Sequence, residues 1–220
     1  MSERLLVLGN KKYSSWSLRA WIGLTMAGVP FRERVIKLFR PQTAAEIGRY
    51  SKALRVPVLV EDGLTVHDSL AILEYVNEAH AEGRLWPAER ARRAQARAVS
   101  AEMHAGFPNL RSRMPMNLAR DPAPLPPQWA VDAATQAELE RVLGMWEGLL
   151  GAGGPFLFGE WSIADCMYLP LATRLHTYAV DLAAHPLGQA YVQRMLSLPA
   201  FQRWQAEGRA EPEELADYAR

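Results

Sequence analysis

Three serines and an arginine crowd the run Tyr13-Ser14-Ser15-Trp16-Ser17-Leu18-Arg19. The run lies between a short apolar stretch, Leu5-Leu6-Val7-Leu8, and an apolar-periodic segment from Leu18 to Met26. That order spells strand, loop, helix. N–H groups at a helix start lack intrahelical partners and carry a partial positive charge. Hydroxyls placed there either cap the helix or meet an anion. Asp68-Ser69 poses the same alternative before a second periodic segment: an N-cap, or a seat for a carboxylate.

Ser162-Ile163-Ala164-Asp165 has capping-box spacing, with Trp161 and Cys166 set for a hydrophobic staple. It reads as the nucleus of a buried helix. Cys166 then belongs to a core and is no nucleophile. As the single cysteine, it excludes an intrachain disulfide and a Cys-x-x-Cys redox pair. Val56-Pro57 stands at a strand entrance, where proline is tolerated. Only about 5–6% of X–Pro bonds are cis, so the residues alone favour trans. The segment 104–117 mixes a histidine, two arginines, asparagines and apolar residues. It is either a proline-kinked helix end with solvated arginines or the wall of a substrate pocket.

The elements that must position these residues follow from the pattern. Residues 4–8 read as a first strand, 10–13 as a polar loop, and 15–27 as a helix stopped by Gly28 and Pro30. Residues 31–38 alternate apolar and charged, as a strand with one wet face does. Residues 41–51 hold a short irregular helix, 56–60 a strand, 61–63 a hairpin turn, 64–66 the returning strand, and 69–79 a helix. The first two strands, joined by a helix, are expected to run parallel. Beyond residues 83–87 the character changes. Residues 88–105, 131–150, 162–180, 188–196 and 199–208 read as helices, with a proline-rich loop at 121–127 and a break at 151–155. The expected fold class is α/β plus all-α, with a mixed domain at residues 1–80, a linker at 81–87 and an all-helical domain at 88–220.

The 220 residues are 49% hydrophobic and 22% charged, ordinary for a globular protein with a sizeable core. Lys plus Arg number 25 and Asp plus Glu 24, for a formal net charge of +1. That balance argues against nucleic acid, membrane or polyanion partners and favours a neutral or small anionic one. No apolar stretch approaches the ~20 residues that span a bilayer. The apolar run at the start is too short for a signal peptide. A cytoplasmic location is expected.

Order and spacing carry more than any one motif. Ser14-Ser15-x-Ser17-x-Arg19 follows a first strand, then come Val56-Pro57, Asp68-Ser69, Trp86-Pro87 in the linker, and Ser162-x-x-Asp165 in the helical half. In this the chain resembles the cytosolic glutathione S-transferases over essentially its whole length. The resemblance implies a thioredoxin-like N-terminal domain, a C-terminal helical bundle and a homodimer. The serine run is most similar to the zeta class (maleylacetoacetate isomerase-like), which shows Ser-Ser-Cys-Ser-x-Arg at this place. Trp16 replaces the class cysteine, which bears on the isomerisation typical of that class.

By resemblance, glutathione is the co-substrate and no metal is needed. Ser14 would be the thiol-activating hydroxyl, with Ser15 beside it. Val56, before a cis Pro57, would pair its backbone with the cysteinyl part of glutathione. Asp68 and Ser69 would hold the γ-glutamyl end, and Gln42 the glycyl end. Trp16, Phe107, Arg111 and Met114 are expected to contact the small electrophile, and Arg111 or Arg113 would suit an acidic one. Tyr13 is the rival of Ser14, since other classes use a tyrosine near the end of the first strand.

The magnitudes allow a serine to do this work. A free thiol titrates near ~8.5, and lowering that by about two units needs roughly 2.7 kcal/mol. A hydrogen bond to a charged acceptor supplies about 1.5–3 kcal/mol. A helix N-terminus adds about 0.3–1 kcal/mol. The implied activity is attack of the glutathione thiolate on a small electrophile. Glutathione-dependent isomerisation, peroxide reduction, and a non-catalytic glutathione- or apolar-ligand-binding module on the same fold are the alternatives. A thioredoxin-type redox role lacks the cysteine it needs at the start of the first helix.

Overall fold

The structure, a computed structural model, describes residues 4–218. Residues 1–3 and 219–220, assigned above to the two domains, lie outside the described residues. Strand β1 (Leu5–Gly9) leads into helix α1 (Ser15–Met26), β2 (Arg32–Ile36), α2 (Thr43–Gly48), β3 (Val58–Glu61), β4 (Leu64–His67) and α3 (Ser69–Ala79). The helical half holds α4 (Arg90–Ala105), α5 (Pro108–Arg113), α6 (Ala133–Gly151), α7 (Ile163–Thr177), α8 (Pro186–Ser197) and α9 (Pro199–Ala210). Together they form a mixed α/β half followed by an all-helical half, the fold class expected from the sequence.

The sheet order is β2-β1-β3-β4. β1 runs parallel to β2, with Leu5 opposite Arg32, and antiparallel to β3, with Leu6 opposite Leu59. Successive side chains of a strand point to opposite faces. Leu6 and Leu8 accordingly join the main core, while Val7 joins a smaller cluster with Ile36, Ile47 and Val58 on the other face. Helix α1 stops where expected, at Gly28 with φ of +69°.

The two halves differ in architecture yet share one core. Buried side chains run without a break from Leu6, Leu8 and Trp21 to Trp146, Tyr168 and Trp204. Helix α7 packs on both α1 and α4, and every residue along it except His176 is buried. Its start is held by Asp165, whose carboxylate accepts from the N–H and the hydroxyl of Ser162, each at 2.9 Å. The ring that meets Trp161 is Phe156, with centroids 5.4 Å apart.

The linker is packed, not loose. Ala81, Leu85 and Trp86 are buried, and the Leu85 carbonyl accepts the Ile163 N–H at the head of α7. In segment 104–117 the helix breaks outright. Phe107 sits at φ of +59° between α4 and α5, and Pro108 opens α5 at the position where a missing N–H costs nothing. Among the described residues no helix is long and apolar enough to cross a membrane.

Candidate functional site

β1 ends at Gly9, and a turn over residues 10–13 delivers Ser14 to the head of α1. The Ser14 N–H donates to the Asn10 carbonyl at 2.8 Å. Its Oγ accepts the Ser17 N–H at 3.3 Å and lies 2.8 Å from the Ser17 hydroxyl. Ser17 Oγ in turn accepts the Gly9 N–H at 2.9 Å. Both side chains are buried. A hydroxyl has one proton and two acceptor positions, and its proton rotates to suit. Ser14 donates its proton to Ser17 Oγ. With the Gly9 N–H feeding Ser17, rotation of both hydroxyls lets Ser17 donate to Ser14 Oγ and turns the Ser14 proton toward an acceptor outside the pair. One serine is therefore both a cap and a polarised donor. Ser15, the first residue of α1, is half-buried and its hydroxyl has no hydrogen bond among the described residues.

The start of α3 forms a second polar centre. Asp68 is its N-cap, at φ of +78°. One carboxylate oxygen takes the N–H groups of Leu70 and Ala71 at 2.9 and 3.2 Å. The other lies 3.2 Å from His104 Nε2. Ser69 is fully buried, and its hydroxyl has no partner among the described residues. The Val56–Pro57 peptide is cis, as the family resemblance implies and against the general preference for trans. Val56 is half-buried just ahead of β3, and among the described residues no hydrogen bond engages its N–H or C=O.

Trp16 links the two centres. Its ring meets His104 edge-on at 5.1 Å. The Cζ atoms of Arg19 and Arg111 lie 4.5 and 5.2 Å from its centroid. Arg19 is only 1% exposed. It donates Nε to the Met167 carbonyl at 3.2 Å, but its Nη1 has no partner, nor have Arg111 Nε and His104 Nδ1. Arg174, also buried, spends its donors on the carbonyls of Met114 and Pro170. Burial, and then the like charges of Arg111 and Arg174, pull the Arg19 guanidinium well down. Burial and the nearby Arg111 charge bring Arg174 to about 10. Asp68 is the carboxylate that counters Arg19. Two cations at one tryptophan, with the Arg174 charge acting on both, thus share little negative charge. A ligand anion would relieve that imbalance.

The other expected residues fall at varied distances from this centre. Arg111 is half-buried and donates Nη2 to the carbonyls of Met103 and His104. Phe107 and Met114 are side chains of the main core; Met114 meets the arginine cluster through its carbonyl. Arg113 turns away to pair with Asp132 at 2.6 Å. Gln42 is exposed at the head of α2 and makes no cap bond there. The Tyr13 phenol faces away from the serines. It donates toward the Glu213 carbonyl at 3.2 Å and accepts the Leu215 N–H at 3.3 Å. Burial pushes its pKa up, and its hydroxyl is engaged with the segment at residues 213–215.

Ser17, Arg19 and His104 fall within motifs evident in the sequence, which assigns no individual role to them or to Arg174. Ser17 and Arg19 stand in the motif itself, at three and five residues past Ser14, and helical spacing puts residues three apart on one face. Arg174 carries no such signal. Among the described residues no cluster of three or more His, Cys, Asp or Glu is disposed to hold a metal.

Comparison with known proteins places the chain in a family. Residues 13–79 match the family profile described as "Glutathione S-transferase, N-terminal domain", and residues 119–207 match "Glutathione S-transferase, C-terminal domain". The chain is 30% identical to the maleylacetoacetate isomerase of Rattus norvegicus over 194 residues, 86% of this chain and 87% of the rat protein. It is also 30% identical to the maleylacetoacetate isomerase of Rhizobium meliloti over 201 residues, 86% of this chain and 91% of that one. A crystal structure of a glutathione transferase homologue from Burkholderia, with bound glutathione, superposes with a TM-score of 0.72 at 26% identity, covering 94% of this chain and 98% of that one. With both halves matched in order and the serine-headed α1 in place, the chain belongs to the glutathione S-transferase family.

Proposed function

We propose that this enzyme binds glutathione with its sulfur at the Ser14 hydroxyl and the N-terminus of α1, and adds the thiolate to a small, negatively charged electrophile. The γ-glutamyl carboxylate is assigned to Ser69 and the first turn of α3, with Asp68 beside it. The cysteinyl amide is assigned to the backbone of Val56, whose N–H and C=O the sheet leaves unused. The observation that carries the proposal is the buried, unpartnered Ser69 hydroxyl, joined to the serine pair through Asp68, His104 and Trp16. A buried hydroxyl without a partner costs about 1–3 kcal/mol, so its natural complement is a polar ligand. Gln42 belongs to this reading as a contact of the glycyl end.

The reaction supplies its own proton balance. The serine hydrogen bond favours the thiolate over the thiol, so the thiol proton leaves to solvent before attack. Serine keeps its proton throughout, and no histidine–carboxylate relay is required. The electrophile is assigned to the side of Trp16 and Arg111, next to the unpaired cation charge of Arg19, with Phe107 and Met114 behind. The domain boundary at residues 81–87, a homodimer and a cytosolic location complete the proposal.

A second reading is supported by relatives that bear the name maleylacetoacetate isomerase. There the thiolate would add to a cis double bond, the adduct would rotate about the resulting single bond, and the thiolate would leave again. The arginine cluster suits such an acid. Trp16, in place of the zeta-class cysteine, argues for a different electrophile. The test measures conjugation of a generic electrophile and isomerisation of maleylacetoacetate, in wild type and Ser14→Ala. Loss of both activities in the variant supports the serine. Equal activity of variant and wild type would remove Ser14 from the mechanism.

A further inference from the structure

Past α9 the chain does not trail away. Residues 211–218 cross the turn at residues 10–13 and bind it in detail. Both carboxylate oxygens of Glu211 accept consecutive backbone N–H groups, from Lys11 at 2.7 Å and Lys12 at 3.0 Å. The carbonyl of Lys11 accepts from Trp204 Nε1 at 3.0 Å. The carbonyl of Lys12 accepts the Leu118 N–H at 3.2 Å. All four backbone polar groups of these two residues are therefore held by the helical half. Helix α9 comes so close that a Cβ on Gly208 would lie 3.0 Å from both the Lys11 carbonyl carbon and the Lys12 nitrogen.

Within the turn the Tyr13 and Ser14 N–H groups share the Asn10 carbonyl, at 3.2 and 2.8 Å, and Asn10 Oδ1 takes the Leu38 N–H at 2.8 Å. Among the described residues, the middle of the turn, Lys11–Lys12, has only the helical half to hold its backbone. The β1 ladder stops at Gly9, and α1 starts at Ser15. What lies between decides where Ser14 Oγ sits. We propose that Glu211 is a positioning residue for the reaction, acting through the Lys11–Lys12 backbone to hold the Ser14 hydroxyl in register with the glutathione sulfur. This rests on the reading of Ser14 as the thiolate's partner. The Glu211 carboxylate is free for this task because Lys11 Nζ is taken by Glu33 and Glu207. The strap itself stays docked by other groups. Lys12 Nζ binds the Glu213 carbonyl and the Glu214 carboxylate at 3.0 and 2.8 Å. Asn117 Nδ2 donates to the Tyr218 carbonyl at 2.9 Å, and the Tyr218 ring meets Tyr13 at 5.0 Å. Substitution of Glu211 alone therefore releases the Lys11 and Lys12 N–H groups and leaves the tail docked.

A displacement of about 1 Å at a reacting group can cost on the order of a hundredfold in rate. Binding is less exposed, because Val56 and Ser69 stand on other elements. The expected signature of Glu211→Ala is a kcat lower by about tenfold, a KM for glutathione within about twofold of wild type, and a bound-thiol pKa higher by about one unit. The pKa is read from the ultraviolet absorbance of the thiolate in the glutathione complex, titrated against pH. Glu211→Gln retains one acceptor oxygen and the side-chain shape, and is expected to shift both quantities by a smaller amount. It also decides the question if the alanine variant does not fold. Ser14→Ala is titrated alongside. If Ser14→Ala raises the thiol pKa and neither Glu211 variant does, Glu211 is a structural residue only and the positioning role is overturned, whatever happens to thermal stability. If Ser14→Ala leaves the pKa unchanged, the serine reading falls first.

Discussion

Ser14→Ala separates a cap from a catalytic group, because the structure makes the side chain a cap and the proposed function adds a second task. As a cap, Ser14 Oγ accepts the Ser17 N–H at 3.3 Å. Losing an N-cap side chain costs about 1 kcal/mol, which in a chain of this size lowers Tm by about 2–4 °C. As a donor to the thiolate, its loss removes a charge-assisted hydrogen bond of about 1.5–3 kcal/mol from the ionised form and almost nothing from the thiol. At 1.36 kcal/mol per unit, the bound thiol pKa rises by about one to two units. The sign is definite. The rate against pH moves to the alkaline side by the same amount, so the defect is large near neutrality and recovers at high pH. The assay is conjugation kinetics from acid to alkaline pH, with thermal unfolding of the same samples. A lowered Tm with an unmoved pH profile would show that Ser14 only caps α1. A profile moved by Ser15→Ala and not by Ser14→Ala would transfer the role to the half-buried neighbour.

Three further outcomes are expected. Ser17→Ala removes the acceptor of the buried Gly9 N–H, so it lowers stability by about 1–3 kcal/mol, more than Ser14→Ala does; urea unfolding of the two variants side by side tests the order. Arg19→Met replaces a buried, half-satisfied cation with an apolar chain of similar length. Stability should stay within about 1 kcal/mol of wild type or rise, while KM for anionic electrophiles increases about tenfold and KM for neutral ones does not; equal effects on both would remove Arg19 from anion recognition. Burial pushes the Asp165 carboxyl up to about 6, so between about pH 4 and pH 6 the folded chain holds a proton that the unfolded chain has released. This group's contribution to stability therefore falls as pH rises through that window, by about 3 kcal/mol, and is level above it. The slope should be missing from Asp165→Asn in urea titrations at stepped pH; identical slopes would show that the donors from Leu157, Ser162 and Tyr191 keep the carboxylate ionised.

How much of this was legible in the sequence depends on the range of each interaction. Elements whose signals are local came through: α1 with its Gly28 stop, the hairpin at Asp62-Gly63, and the capping-box head of α7. The parallel pairing of β1 and β2 followed from the helix between them. The mixed composition of segment 104–117 fits both a kinked helix end and a pocket wall; where the sequence suggests a kink, the left-handed Phe107 makes a full break between α4 and α5. The packing of linker residues Leu85 and Trp86 was hidden for a different reason. A short Gly- and Pro-bounded stretch looks solvent-exposed until the N-terminus of α7 arrives beside it.

The site divides along the same line. Ser14, Pro57 and Asp68-Ser69 sit at element boundaries, where residue type alone reports a special backbone environment. The charges around them do not. Arg174 belongs to a helix buried on nearly all sides, and nothing in its neighbours distinguishes it from a solvated arginine. Its meaning arises only when α7 and α1 are stacked and Trp16 gathers Arg19 and Arg111 at one ring. Glu211 is harder still, since it acts 200 and 199 residues away on two backbone N–H groups. Backbone donors leave no mark on the sequence that provides them. On the proposed function, the sequence-local features of this enzyme concern what binds the thiol, and the long-range ones concern how accurately it is held and which charge the second substrate carries. A variant series confined to the serine run would measure the first and miss the second.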